Sequence, residues 1–435
     1  MSTSRGSLVG STLLTTEIGL VRLDQLAAIS AASGRLDVVA RGQGRTVSVR
    51  CWPTRRGSDT IRRAITASGF SLAGSPNHQI VAIDPETGIR RWARLAELGI
   101  GAVVPLALGG FVGTERRVPL PVLSQAYYTN DLELAVPNAV SADLGELVGY
   151  FMGDGSLHAK GIRLCVAEDD RDVVERLALL VRRLFRVTPV ATLREGYLEL
   201  AVNSTRLAEW WHVAGFAKGL PDAGHRGKGW TPHVPAALRE CNCPRTYAAF
   251  LRGLFEADGT VAEGVPILST ASARFADEVR AMLLALGLLT TTRQTTSGFG
   301  GSIFQVRLRN LSYAARFLGS VGFIGSRKAR RLYVGDSANT GKRDRIYLPR
   351  RQWRELIPVS DPRRSLILQS LRRYGSVPRS LADALHVDYP DTRLKRALAD
   401  FYESVCDVAD EPSGGENRLS VDSEASVVAS GFMVR

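Results

Sequence analysis

The chain contains the same short motif twice, and this duplication restricts its possible folds more than any other feature. Residues 147–155 read Leu-Val-Gly-Tyr-Phe-Met-Gly-Asp-Gly, and residues 251–259 read Leu-Arg-Gly-Leu-Phe-Glu-Ala-Asp-Gly. Each motif closes on an Asp-Gly pair, and the aspartates Asp154 and Asp258 are 104 residues apart. An apolar helix with a small residue on one face can pack closely against a copy of itself, which would bring the two aspartates side by side. Adjacent carboxylates repel each other, and a bound divalent cation is a usual way to stabilise the pair.

The similarity continues beyond the two motifs, which a single buried helix ending in a solvated Asp would not explain. After each motif the sequence predicts a strand, a helix, a second strand and a second helix that stops at Gly-Phe. The predicted elements are 162–166, 173–181, 197–202 and 207–214 in the first repeat, and 267–270, 275–284, 304–308 and 313–321 in the second. Asp154 and Gly215 are 61 residues apart, and Asp258 and Gly322 are 64 apart. A repeat of this length predicts pseudo-two-fold symmetry within one chain.

The motifs and the repeat resemble the single-chain LAGLIDADG homing endonucleases over residues 140–330. The resemblance implies a duplicated αββαββα fold whose motif helices form the central interface and whose strands make a saddle for the DNA major groove. It also implies cleavage of both DNA strands with Mg²⁺ or Mn²⁺ and one catalytic acid at the end of each motif helix. Those acids would be Asp154 and Asp258, each holding a metal that activates water and stabilises the leaving 3′ oxygen. The implied partner is double-stranded DNA, bound by a monomer with internal pseudo-two-fold symmetry.

Basic residues near the metals are frequent in this family, and here their positions are less clearly defined. The segment from Lys228 to Pro235 resembles the family's Lys before Val/Ile-Pro, but Pro232 stands at the usual lysine position. After the second repeat, Ser326-Arg327-Lys328 resembles the matching basic turn. Lys228 and Lys328 are therefore candidate catalytic residues, with a phosphate contact or a solvated surface charge as an equal alternative.

Composition supports a polyanionic partner. The net charge is +13, and residues 327–396 hold 18 Lys and Arg against 7 Asp and Glu, a net charge of +11. Such a stretch predicts salt-dependent DNA binding, with solubility or an anionic membrane surface as alternatives. No membrane span is expected, because the longest apolar run, near 282–289, is far shorter than the ~20 residues required. Strand alternation adds candidates for base readout, which are Arg163, Glu199, Arg293, Gln305, Arg307 and Arg309.

The basic region 331–398 is predicted to be helical. Its short helices would span Ser365–Arg373, Ser380–His386 and Thr392–Tyr402. Their lengths suit a small DNA-recognition element of the helix-turn-helix kind, and a plain helical linker is an equal alternative.

The remaining segments resemble an intein, a protein-splicing element. Residues 7–118 are rich in short apolar strands and turn residues, an all-β pattern. Residues 7–19 resemble the opening block of an intein, and Gly74-Ser-Pro-Asn-His78 resembles the block in which Thr-x-x-His destabilises the scissile amide. Residues 419–434 resemble the closing strands. The order is that of an all-β Hint-type splicing domain split around an inserted endonuclease.

The predicted fold class is therefore α+β, with a duplicated αββαββα LAGLIDADG endonuclease inserted in an all-β Hint-type domain. The predicted boundaries are 7–118 for the first part of the Hint-type domain, 119–140 for a linker, 141–330 for the endonuclease with repeats 141–235 and 245–330, 331–398 for the basic helical region and 399–435 for the second part of the Hint-type domain.

The residues expected to carry out splicing are degenerate. Ser7 stands where inteins normally have Cys, and a hydroxyl is a poorer nucleophile than a thiolate. Ala425 and Arg435 stand at the two positions where histidines are expected, and the sequence stops before any terminal Asn. His78 could still assist chemistry at Ser7. We expect an endonuclease on a splicing-impaired element, and the alternative is a splicing element whose decayed endonuclease only binds DNA.

Five dispersed cysteines fit a reducing cytoplasm, and the N-terminus lacks the apolar core of a secretory signal. Cys241-Asn-Cys243 with His233 nearby resembles half of a zinc site, but a single Cys-x-Cys pair favours a structural role.

Overall fold

The computed structural model describes residues 6–33, 37–42, 45–53, 60–123, 133–219, 230–296, 298, 300–332, 344–412, 416–421 and 426–435. The chain divides into two compact units. We call Met1–Val112 with Asp336–Arg435 the β unit, and Gly113–Gly335 the repeat unit. None of the helices in the described part of the chain is both long and apolar enough to cross a membrane.

The first part of the β unit is mostly short strands. Its elements are β1 (Ser7–Val9), β2 (Leu13–Thr16), β3 (Gly19–Arg22), α1 (Leu23–Ser33), β4 (Asp37–Arg41), β5 (Thr46–Pro53), β6 (Thr60–Thr66), β7 (Ser71–Gly74), β8 (Gln79–Ile83), β9 (Arg90–Arg94) and β10 (Val103–Ala107).

The repeat unit follows, and its elements occur in the same order twice. The first copy contains α2 (Ala142–Asp154), β11 (Gly155–His158), β12 (Gly161–Ala167), α3 (Arg171–Phe185), β13 (Val190–Arg194), β14 (Tyr197–Asn203), α4 (Thr205–Val213) and α5 (Ala236–Arg239). The second contains α6 (Pro244–Ala257), β15 (Gly259–Ala262), β16 (Val265–Thr270), α7 (Ala273–Ala285), β17 (Thr290–Thr296), β18 (Ser302–Leu308), α8 (Leu311–Ser320) and α9 (Ser326–Ala329).

The chain then returns to the β unit. This part contains β19 (Arg345–Ile346), α10 (Arg350–Leu356), α11 (Arg364–Tyr374), β20 (Val377–Pro378), α12 (Arg379–Asp388), α13 (Thr392–Leu398), β21 (Asp400–Pro412), β22 (Glu416–Val421), β23 (Val427–Ala429) and β24 (Phe432–Val434).

The two parts of the β unit interleave in one sheet. Its strand order is β10-β21-β6-β7-β1-β22-β5-β4-β2-β23-β24-β8-β9, with β3 on β2. Strand β10 also pairs with β8 and β24, so the order returns on itself. Strands from before and after the repeat unit pair at β1–β22, β2–β23 and β10–β21. Neither part could therefore form this sheet alone.

The helices α10–α13 pack against the sheet of the β unit. Their apolar core joins Trp353, Leu371 and Leu385 to Ile83 of β8 and Tyr402 of β21. The guanidinium of Arg379 also pairs with Asp344 at 2.9 Å. Residues 344–398 of the predicted basic helical region thus form part of the β unit, whereas residues 331 and 332 belong to the repeat unit.

In the repeat unit each copy forms an antiparallel sheet, ordered β11-β12-β14-β13 in the first and β15-β16-β18-β17 in the second. The helices that follow β14 and β18 begin at corresponding N-caps. The side chain of Ser204 accepts from Leu207 N at 3.2 Å, and that of Asn310 accepts from Tyr313 N at 3.1 Å. Both helices end near a glycine with positive φ, Gly215 at 75° and Gly322 at 71°, as expected for a left-handed helix terminus.

The core of the first copy contains an aromatic cluster. Phe151 of the first motif packs edge-on against Trp211 with 4.9 Å between ring centroids. Phe185, Trp210 and Phe216 complete the cluster, and Trp210 and Trp211 are buried. The two tryptophans are therefore core residues.

The structure differs from the sequence prediction in several elements. Residues 7–118, predicted to be all-β, include the helix α1, and the helix α10 was not predicted. The predicted helix Thr392–Tyr402 stops at Leu398, because the chain from Asp400 onward pairs with β10. The sequence also gave no signal for β11, β13, β15 and β17, since these strands are short or polar. β17, for example, reads Thr-Thr-Thr-Arg-Gln-Thr-Thr and has no apolar alternation.

Candidate active site

The two motif helices, α2 and α6, pack directly against each other through glycine. A Cβ on Gly149 would overlap the carbonyl oxygen of Phe250, and one on Gly253 would overlap that of Glu146. A Cβ on Gly145 would lie 3.1 Å from the carbonyl oxygen of Thr246. Backbone approach this close is possible only without side chains, which explains the glycine at the third position of each motif.

Ion pairs to a buried carboxylate also link the two motif helices. Glu146 of α2 accepts from Arg252 of α6 at 2.7 Å and from Arg176 of α3 at 2.7 Å. Two arginines on one buried carboxylate supply the pairing that a buried charge requires.

The close packing brings the ends of α2 and α6 together, and each ends at a motif aspartate. Asp154 is the last residue of α2, and Asp258 follows the last residue of α6. A Cβ on Gly153 would lie 3.2 Å from Cγ of Asp258. The carboxyl group from the second repeat thus lies beside the end of the first motif helix.

The surroundings of the two aspartates disfavour their charge. Both residues reach solvent, but protein atoms crowd each carboxyl group. For Asp258 this partial burial and the charge of Asp154 raise the pKa to about 6. Partial burial also raises the pKa of Asp154. A cation held between the carboxylates would remove this cost.

Two lysines lie at the same helix ends and partly offset the raised pKa values. Nζ of Lys218 donates to the carbonyl oxygen of Gly153 at 2.5 Å. Nζ of Lys328 donates to the carbonyl oxygens of Phe255 at 3.3 Å and Ala257 at 3.2 Å, and also to that of Glu256. Cations are favourable at a helix C-terminus, where the carbonyl groups lack partners within the helix.

Each lysine also lowers the pKa of the aspartate on the opposite helix. Of the two cations that lower the pKa of Asp258, Lys218 has the larger effect, although it caps the helix that carries Asp154. Lys328, which caps the other helix, has the larger effect on Asp154. Burial lowers the pKa of both lysines. The four residues therefore form one electrostatic unit.

The sequence predicts Lys228 and Lys328 as the basic residues, whereas the structure places Lys218 at the site. Lys328 lies at the site, whereas Lys228 lies outside the described residues. A signal for Lys218 existed: it follows Gly215-Phe216 closely, as Lys328 follows Gly322-Phe323.

The turn that carries Lys328 is anchored to the first repeat. Arg327 pairs with Asp170 through two hydrogen bonds of 2.6 Å. Ser326 N donates to Asp172 at 2.8 Å, and Gly325 N donates to Glu256 of α6 at 2.8 Å. These contacts fix the backbone on which Lys328 approaches the helix end.

The base-readout candidates lie on the sheet faces opposite the buried side chains. On β18, Gln305 and Arg307 alternate with the buried Val306 and Leu308. Arg293 is directly opposite Gln305 in the register of β17. On the first sheet, Arg163 lies on the corresponding face of β12, where it pairs with Glu199. Arg309 follows the end of β18.

Hard divalent cations prefer oxygen ligands, and the carboxylates of Asp154 and Asp258 fit that preference. Among the described residues there is no cluster of three or more His, Cys, Asp or Glu that could hold a metal by itself. Burial raises the pKa of Cys241 to about 12, so its thiol is protonated near pH 7 in the absence of a metal.

The β unit brings together the two residues proposed for splicing. Ser7 N donates to Ser75 Oγ at 2.8 Å, and Ser75 N donates to the Ser7 carbonyl at 2.8 Å. His78 is fully buried beside Gly6. Neither of its ring nitrogens makes a well-formed hydrogen bond to a described residue, and burial lowers its pKa to about 4, an effect that a backbone group of Gly6 only partly offsets.

The fold and the site thus define a class of protein in which an αββαββα unit is duplicated and two carboxylates meet at one helix interface. The sequence model of the LAGLIDADG-like domain matches residues 245–322, which confirms the predicted domain for the second repeat.

Curated relatives match only part of their own length. The chain is 26% identical over 194 residues to the replication factor C small subunit of Methanocaldococcus jannaschii, which covers 44% of this chain and 10% of that protein. It is 29% identical over 209 residues to the replication factor C small subunit of Thermococcus kodakarensis, covering 46% and 22%. The chain therefore spans less than a quarter of either relative.

Homing endonucleases are among the similar solved structures. The homing endonuclease I-DmoI in complex with DNA and Mn aligns with a TM-score of 0.31 at 17% identity, covering 42% of this chain and 96% of that one. A variant of the Ssp DnaB mini-intein aligns with a TM-score of 0.20 at 20% identity, covering 25% and 68%.

Proposed function

We propose that this chain is a metal-dependent, site-specific DNA endonuclease of the LAGLIDADG type that cuts both strands. The observation that carries the proposal is the meeting of Asp154 and Asp258 at the ends of two glycine-packed helices. Each helix end also bears a lysine, Lys218 or Lys328, on its terminal carbonyl groups. One acid per repeat suits a reaction that must be performed once on each strand.

Asp154 and Asp258 would hold the metal, Mg²⁺ or Mn²⁺. When bound, the metal supplies an activated water and stabilises charge on the leaving 3′ oxygen. Lys218 and Lys328 keep positive potential beside the carboxylates, which favours approach of the phosphate backbone. The partly exposed faces of the two sheets, with Arg163, Arg293, Gln305, Arg307 and Arg309, would contact double-stranded DNA.

The test uses a supercoiled plasmid that carries the insertion site reconstructed from the chain's own gene without the insert. With Mg²⁺ the wild-type protein should give linear plasmid. Asp154→Asn and Asp258→Asn should each give nicked circles, because one half-site still works. The double variant should leave the plasmid supercoiled.

Strand-labelled linear duplexes should show that the two single variants spare opposite strands. Asp407→Asn, an equal charge change at an exposed position of β21, is the matched control and should cut as wild type does. If both strands are still cut by the double variant, the assignment of the acids is wrong.

We also propose that the β unit is a Hint-type splicing fold whose chemistry is impaired. Support comes from Ser7 at the first position and from Ala425 and Arg435 where the family has histidines. Ala425 lies outside the described residues. The buried, neutral His78 beside Gly6 supports a retained fold rather than retained catalysis.

A further inference from the structure

The two sheets differ at one corresponding position. Glu199 on β14 is opposite Cys165 of β12 and Thr192 of β13. Gln305 on β18 is opposite Ser269 of β16 and Arg293 of β17. The central strand of each sheet therefore presents one polar side chain at the same place, a carboxylate in the first repeat and an amide in the second.

Glu199 is held in a defined orientation by two arginines. Arg163 and Arg194 each donate to its Oε1 at 3.0 Å. Within the described residues Oε2 makes no hydrogen bond, so it can accept one from a ligand. Hydrogen bonds from Arg194 and then Arg163 lower the pKa of Glu199, which keeps the carboxylate ionised.

Base edges distinguish these two side chains. An ionised carboxylate only accepts hydrogen bonds, whereas a glutamine amide both accepts and donates. In the major groove cytosine offers the N4 donor, and glutamate accepts from it. Adenine offers the N6 donor beside the N7 acceptor, which glutamine matches with two bonds.

We propose that Glu199 and Gln305 are corresponding specificity residues, Glu199 selecting cytosine in one half-site and Gln305 selecting adenine at the corresponding position of the other. The proposal rests on the proposed DNA endonuclease function. It makes the target non-palindromic at this position, although the protein has pseudo-two-fold symmetry.

A purely structural role explains the Glu199 ion pairs less well. Partly exposed ion pairs contribute little to stability, and the side chains of Arg163, Arg194 and Glu199 are 35%, 46% and 14% exposed. The second sheet forms with Gln305 at the same position. A carboxylate on a face that meets DNA phosphates is unfavourable unless it is neutralised and makes a contact of its own, and the two arginines provide the neutralisation.

The experiment selects bound duplexes from a randomised library with the full-length protein, in Ca²⁺ instead of Mg²⁺ to limit cleavage. Glu199→Gln should change one position of the first half-site from cytosine to adenine, with roughly a ten-fold change in the ratio of the two bases. Gln305→Glu should produce the reciprocal change in the second half-site. Gln305→Glu also tests the proposed base preferences if Glu199→Gln fails to fold.

Glu175→Gln is the matched control, because it removes the same charge from an exposed position on α3. The control should raise the affinity for every DNA sequence equally. If Glu199→Gln does the same and leaves the base preferences of the wild type unchanged, the inference is wrong, but the proposed DNA endonuclease function is unaffected. If the wild-type protein selects no sequence at all, the proposed function fails and the inference fails with it.

Discussion

At the scale of single residues, the folded protein disfavours the charged form of both site aspartates, Asp154 and Asp258. The raised pKa of Asp258 means that the folded protein binds its proton more tightly than the unfolded chain does. The charged carboxylate therefore destabilises the metal-free fold at pH values above about 6, and this cost disappears as the pH falls towards the ordinary value of 3.8.

We predict that Asp258→Asn is more stable than the wild-type protein without metal at pH 7.5. The difference in melting temperature should shrink between pH 6 and pH 4, where the wild-type carboxyl group becomes neutral. Saturating Mg²⁺ should also reduce this difference in melting temperature, because the wild-type site offers the metal two carboxylates and the variant only one. Thermal unfolding followed by circular dichroism measures this, and a variant less stable than wild type at every pH would contradict it.

Lys218 provides a second test, because its charge lowers the pKa of Asp258 more than the charge of Lys328 does. Lys218→Met should raise the pKa of Asp258 further and shift the rising limb of the pH–rate profile upward. Nicked plasmid should then accumulate over a wider range of pH. Lys160→Met, in the turn between β11 and β12, is the charge-matched control. An unchanged pH profile for Lys218→Met would mean that the charge of Lys218 does not affect the reacting groups.

The sequence predicted the two acids but only one of the two lysines. A carboxylate at the end of a repeated motif is visible in a single sequence, because the motif itself marks the position. Lys218 lies in a connection after α4, and its approach to Gly153 depends on how the first repeat folds back. Its position after Gly215-Phe216 is visible in the sequence, but its contact with Gly153 depends on packing between distant residues.

At the scale of secondary-structure elements, the glycines of the helix pair determine how closely the two aspartates approach. Gly253→Ala would push a methyl group into the Glu146 carbonyl oxygen. Since neither backbone can move freely in the packed interface, we predict a loss of about 3 kcal/mol or more in the free energy of unfolding. Chemical denaturation measures this loss.

Gly319→Ala is the matched control for this prediction. It changes glycine to alanine within helix α8, where nothing lies within 4 Å of the new Cβ. There the substitution should stabilise the protein by about 0.5–1 kcal/mol, the usual gain for alanine over glycine in a helix. Equal effects of the two substitutions would mean that the motif glycines are not needed for close packing.

Helices and strands with an apolar face were predictable from the sequence, and strands that depend on hydrogen bonding to a neighbouring strand were not. The helices α3, α4, α7 and α8 were expected because their apolar residues recur at helical spacing. The strand β17 is almost entirely polar, and it exists because β18 offers it a full register of partners. Pairing with β10 likewise converts the end of the predicted helix Thr392–Tyr402 into strand.

At the scale of the whole chain, the sheet of the β unit requires segments from both sides of the repeat unit. Ser7 of β1 is opposite Arg418 of β22, so the first strand of the unit pairs with a strand near the end of the chain. In the splicing fold that we propose for the β unit, impairment would therefore arise from the reacting groups rather than from loss of the pairing between β1 and β22. Ser7 carries a hydroxyl instead of a thiolate, and His78, with a pKa of about 4, is neutral near pH 7 and cannot readily donate a proton.

We therefore predict that the chain, expressed between two unrelated flanking domains, gives the intact mass of the full fusion and no mass for the ligated flanks. Ser7→Cys supplies the better nucleophile and should allow thiol-induced release of the upstream flank, because the β unit still holds residue 7 between Ser75 and β22. Ligation should still fail in that variant, because Ala425 and Arg435 do not provide the imidazoles of the later steps. Ligated flanks from the unmodified chain would contradict the proposal. No release from Ser7→Cys would mean that the β unit does not position residue 7 for attack on the preceding carbonyl.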